Sequence, residues 1–131
     1  LGLSIRITEF DVNTDDDALQ ADYTRDFLTM VFSHPAVTGF QMWGFWDGDH
    51  WLGSAPLYYH DWKLKPSGAV WRKLTRQTWR TRAAGVSNSE GEYKLKAFYG
   101  TYNISVTSGG KTCKTQANFT KSGSVEARAT C

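Results

Sequence analysis

Two short stretches of this chain, residues 3–12 and 37–45, carry apolar side chains at odd and even positions alike, so as strands both would be apolar on two faces. That pattern belongs to a parallel sheet covered on each side, and each stretch is followed by a segment of helical period. Asn13 to Asp17 form a polar turn whose aspartates suit the start of a helix. Leu19, Tyr23, Phe27, Met30 and Val31 then recur at three- and four-residue spacing until His34-Pro35 stops the run. Lys65-Pro66-Ser67 opens a second helix, with Val70, Trp71, Leu74 and Thr78 on its expected buried side. Strand, helix, strand, helix is the repeat of an α/β fold. Two parallel strands, however, leave long apolar edges and too little burial to offset the entropy of ordering them. Partner strands are therefore expected, from a removed N-terminal part or from a second copy of the chain, and a stable monomer is not.

After Thr81 the texture changes. Short alternating runs over residues 92–98, 101–108, 111–119 and 124–130 are separated by Ser89-Glu90-Gly91, Gly109-Gly110 and Ser122-Gly123. This predicts a small antiparallel β-sandwich over residues 82–131, following an α/β portion over residues 1–81. The stretch from Glu92 to Val106 resembles the core of prealbumin-like or carboxypeptidase-regulatory-like appendages, which implies a fold and no activity. Cys113 and Cys131, the two cysteines, are expected to pair as a disulfide. Neither has histidine or cysteine at metal-ligand spacing, so no metal and no cofactor is expected. Asn103-Ile104-Ser105 and Asn118-Phe119-Thr120 fit the glycosylation acceptor pattern. With the cysteines, they favour a secreted, extracellular setting.

The net charge of +2 comes from interspersed acids and bases. No basic block tracks a phosphate backbone, so nucleic acid is not an expected partner. No apolar run approaches a membrane span, and Leu1 opens no leader segment. What remains is a pattern suited to carbohydrate. Glu9 and Asp11 are two apart on a strand and so share a face. Trp43, Trp46 and Trp51 are interleaved with Asp47, Asp49 and His50 just beyond the second strand. A carboxylate can stabilise or attack an oxocarbenium-like centre while indole faces hold pyranose rings.

Thr8-Glu9-Phe10-Asp11, with Trp43-Gly44 and Asp47-Gly48-Asp49-His50-Trp51, is similar to the last two strands of family 10 glycoside hydrolases, the endo-1,4-β-xylanases. The resemblance spans residues 1–79 and implies the last two βα units of a (β/α)8 barrel, the chain beginning inside that domain. It implies that Glu9 is the nucleophile and that Asp11 orients a histidine from strand six and tunes the nucleophile. It also implies that Trp43 and Trp51 line the sugar cleft, with Asp47 and His50 beside them as substrate contacts. Phe10 stands where the family pattern has leucine. The acid/base glutamate, which the family supplies from an Asn-Glu pair ending strand four, has no counterpart here. A nucleophile without a proton donor loses assistance commonly worth about 10²–10⁴-fold. The expected function is thus a fragment of a retaining endo-1,4-β-xylanase, with β-1,4-xylan or a related plant polysaccharide as substrate and little activity alone. A carbohydrate-binding protein and a self-assembling structural protein are the rival readings.

Overall fold

A computed structural model describes residues 2–120 and 123–130. The chain divides into two compact units, Leu1–Thr78 and Trp79–Cys131.

In the first unit β1 (Ile5–Phe10) leads through α1 (Asp17–Ser33) to β2 (Val37–Met42), and a long loop then leads to α2 (Pro66–Lys73). The two strands pair in parallel, Ile5 opposite Val37 and Phe10 opposite Met42, with irregular register between. Both are shorter than the apolar runs that announced them. α1 begins where the acidic turn indicated: the Asp16 carboxylate accepts from the N–H groups of Ala18 and Leu19, each at 3.0 Å. Pro66 occupies the first turn of α2, where its missing N–H costs nothing. α2 passes into one wider turn, Leu74–Thr78.

The core differs from the expected apolar stripe. Phe10, Leu28 and Val31 are buried, but so are Gln20, Thr24, Lys65 and Ser67, while Leu19, Tyr23 and Met30 are exposed. α1 is rotated by about one residue from the stripe because its polar residues complete a buried network with the loop and α2. Gln20 Nε2 donates to the carbonyls of Val12 (2.9 Å) and Ser54 (2.6 Å), and the Ser67 hydroxyl donates to Gln20 Oε1 at 2.7 Å. Buried polar groups are tolerable when satisfied in this way. The stripe is partly used on the strand side: Phe27 stacks on Phe10 with ring centroids 4.8 Å apart, and Phe40 joins Phe10 at 5.2 Å. On α2, Ser67 and Gly68 are buried, whereas Thr78, expected inward, is exposed.

In the second unit the expected sandwich is not found. Among the described residues its strands are β3 (Gly100–Ser108) and β4 (Lys111–Phe119), one antiparallel hairpin. Gly109 and Gly110 both have positive φ (55° and 77°), the geometry of the tight turn that matches strand twist. Residues 92–98 and 124–130 carry strand-like alternation but join no ladder. Before β3 the backbone is held instead by side chains: the Asn88 Oδ1 accepts from Glu90 and Glu92 N–H groups, and Thr81 Oγ1 from the Phe98 N–H. Local side-chain bonds of this kind compete with strand pairing. Cys131 lies outside the described residues, and the Cys113–Cys131 pairing with it.

Candidate functional site

Phe10, the last residue of β1, is in the core at 6% exposure, with Glu9 before it and Asp11 after it at the carboxyl end of the strand. Glu9 is exposed and Asp11 half-buried. The neighbouring strand ends beside them: the Trp43 N–H donates to the Phe10 carbonyl at 3.3 Å, continuing the pairing one step past Met42. The Trp43 indole is half-exposed. Two carboxylate residues and a tryptophan thus lie at the carboxyl ends of two parallel strands, the end at which barrel enzymes carry their chemistry.

The loop after β2 is shaped by two close approaches. At Gly44 an added Cβ would fall 2.3 Å from His50 Cδ2, and at Gly48 it would fall 2.1 Å from the Trp46 ring. Glycine is required at both. Asp47 begins a single turn, Asp47–Asp49, and faces inward: its Oδ1 accepts from Lys65 Nζ at 2.8 Å. Lys65 Nζ also donates to the Ser54 carbonyl at 3.0 Å. Asp47, expected beside substrate, is therefore buried and neutralised beneath the loop. His50, also expected against sugar, is buried as well, its Nε2 3.3 Å from Asp11 Oδ1. That pair lies within ion-pair reach but off the angle of a hydrogen bond, so neither atom has a hydrogen-bond partner among the described residues. Trp51, next in the chain, is 76% exposed, far more than a core indole would be.

A second aromatic group lies further along the loop. Trp46 and Trp62 stack with centroids 4.5 Å apart and 9° between planes, and the Trp46 indole N–H donates to the His60 carbonyl at 3.2 Å. Trp62 has a left-handed backbone (φ 64°), uncommon for a bulky residue.

His50 and Asp11 are thus brought together, Glu9 and Trp43 lie at the adjoining strand ends, and Trp51 follows His50 in the chain. Sequence reasoning missed Lys65, Gln20 and Ser67, which hold the loop from below. Only the position of Lys65 before a helix-opening proline marked it, and that signal speaks of a helix start and not of a buried cation.

Residues 1–81 match the family described as Glycosyl hydrolase family 10. The chain belongs to glycosyl hydrolase family 10. Among curated relatives, the anti-sigma-I factor RsgI6 of Acetivibrio thermocellus is 41% identical over 112 residues, 85% of this chain and 15% of that protein. Endo-1,4-beta-xylanase 3 of Arabidopsis thaliana is 29% identical over 106 residues, 81% of this chain and 14% of that protein. Xylanase 10B from Thermotoga petrophila RKU-1, solved in complex with xylobiose, superposes with a TM-score of 0.52 at 26% identity. The superposition covers 59% of this chain and 28% of that one. The chain spans between 10% and 15% of the length of the curated relatives it matches. It is a xylanase-like family 10 fragment, 59% of which superposes on part of a xylanase.

Proposed function

We propose that the first unit is the nucleophile-bearing part of a retaining endo-1,4-β-xylanase site, the last two βα units of its (β/α)8 barrel. The observation that carries this reading is the placement of Glu9 and Asp11, either side of buried Phe10, against Trp43 at the carboxyl end of the strand pair. Glu9 attacks the anomeric carbon of a xylosyl unit while the bond to the leaving oxygen breaks. That oxygen takes its proton from a second carboxylic acid, which lies outside this chain. The same group, then a carboxylate, deprotonates the water that releases the sugar and frees Glu9. Asp11 keeps Glu9 oriented, Trp43 and Trp51 hold the sugar rings, and Asp47 and His50 serve from beneath, fixing the loop. With one carboxyl of the two, the chain alone is expected to be nearly inert on xylan.

The experiment is reducing-sugar release from xylan by the purified chain and by Glu9→Gln. Release that Glu9→Gln abolishes establishes hydrolysis by this chain. No release, with retardation in a xylan gel that is lost in Trp51→Ala, leaves polysaccharide binding as the function. The exposure of Trp51 and Trp43 favours that second reading for the isolated chain. The second unit we read as a prealbumin-like β-module, of secreted location, with Asn103 and Asn118 as glycan acceptors and Cys113 and Cys131 as its disulfide. Asn103 and Asn118 are both exposed and lie on one face of the hairpin, which supports the glycan assignment.

A further inference from the structure

His50 presents an enclosed imidazole with one nitrogen committed and the other facing a carboxylate. Its side chain is 3% exposed and that of Asp11 20%. On one side of the ring, Nδ1 lies 3.0 Å from the Leu52 nitrogen and 2.9 Å from the Leu52 carbonyl oxygen. A neutral ring that accepts from the Leu52 N–H at Nδ1 carries its proton on Nε2. A charged ring donates from Nδ1 to the Leu52 carbonyl and still carries a proton on Nε2. The remaining form, with the proton on Nδ1 alone, would set an Nε2 lone pair against the Asp11 carboxylate and is electrostatically disfavoured. Both favoured forms carry a proton on Nε2, the nitrogen 3.3 Å from Asp11 Oδ1. Neither Nε2 nor Asp11 Oδ1 has a hydrogen-bond partner among the described residues; at 3.3 Å apart, a small turn of either side chain lets each satisfy the other. Room for the ring is made at Gly44, where a Cβ would meet His50 Cδ2 at 2.3 Å.

We propose that His50 is a positioning residue: its Nε2–H fixes Asp11 on the strand face that carries Glu9, and so pins the Trp51 loop to the nucleophile strand. The inference rests on the assignment of Glu9 as nucleophile. Family resemblance led to a histidine from strand six as the group that Asp11 would orient. In this structure a histidine on the chain's own loop stands against Asp11, adjacent to the residue proposed to hold sugar. The contact therefore sets the reach from sugar platform to nucleophile, and it makes His50 a support for the site in place of a sugar contact. Of the other charges on this loop, Asp47 is neutralised by Lys65, and Asp49 is exposed.

The test uses the full chain with ¹⁵N-labelled histidine, read by long-range ¹⁵N–¹H correlation. His50 is expected to be protonated at Nε2, with that proton exchanging at least about tenfold more slowly than in Asp11→Ala. A His50 ring protonated only at Nδ1, or exchange unchanged by Asp11→Ala, overturns the proposal. A second arm follows xylotetraose binding by tryptophan fluorescence. His50→Gln, which keeps an N–H donor, should bind within about twofold of the unaltered chain, and His50→Met should weaken binding at least about tenfold. Gly44→Ala, which keeps the imidazole but displaces it, should behave as His50→Met does, so the proposal stays testable if His50→Met does not fold. Equal binding by all three variants overturns it. An unaltered chain that takes up no xylotetraose counts against the sugar-site reading, while the tautomer and exchange measurements still decide the role of His50.

Discussion

At the residue scale the decisive group is the buried ion pair of Lys65 and Asp47, which closes the long loop from β2 onto the start of α2. Removing one member of such a pair leaves an uncompensated charge, commonly a loss of about 3–5 kcal/mol. Lys65→Met is expected to destabilise the first unit by that amount in urea unfolding, and Lys65→Met with Asp47→Leu to recover most of it. Gln20 is a neutral counterpart. Gln20→Leu strips the Ser54 carbonyl and the Ser67 hydroxyl of a partner and is expected to cost about 1–3 kcal/mol by the same measurement. These residues explain what could and could not be read in the sequence. Glu9, Asp11 and Trp43 could be assigned to strand ends because apolar runs and spacing mark where strands lie without reference to what surrounds them. Lys65 and Gln20 were not, since a buried polar residue is recognisable only through partners far away along the chain.

Elements behave in the same way, with local rules legible and pairing rules less so. The Asp16 cap was announced by an acidic turn, and Asp16→Ala should cost about 1 kcal/mol and lower helicity by circular dichroism. Gly109-Gly110 was equally plain: two glycines between alternating runs require a tight turn. The sandwich is not found among the described residues because alternation marks strand capacity, whereas a ladder also needs strand pairing, and the ladders there are β1–β2 and β3–β4. The facing of α1 was misread for a related reason, since its inner side follows the loop network and not the count of apolar residues. One contact between α1 and the loop carries a pH signature. The Tyr59 hydroxyl donates to Asp17, and that bond, with burial and nearby acids, holds the phenol above the usual tyrosine range. A proton held more tightly in the folded state stabilises fully below the unfolded value near pH ~10 and ceases to do so as pH rises through the higher folded value. Urea midpoints measured from about pH 9 to 12 should show a fall that is smaller in Tyr59→Phe.

Taken whole, the first unit presents two parallel strands whose outer edges have no strand partner among the described residues, and apolar side chains such as Leu3, Ile5 and Phe45 lie exposed around them. Unpaired edges and uncovered apolar surface favour association. The melting midpoint of the chain is therefore expected to rise with protein concentration, and sedimentation should show species larger than a monomer; a sharp transition independent of concentration, from a monomer, would refute this. Phe10 ties that scale to the chemistry. The acids on either side of it are spaced by a single pleat of backbone, so repacking the interior at Phe10 shifts them as one rigid unit. The position of Trp51 is set by the loop beyond β2, which Lys65 and Gln20 tie down at Asp47 and Ser54. If Glu9 is the nucleophile we propose, the reactive group is inherited with the hydrophobic centre, and access to it is governed by the connection outside.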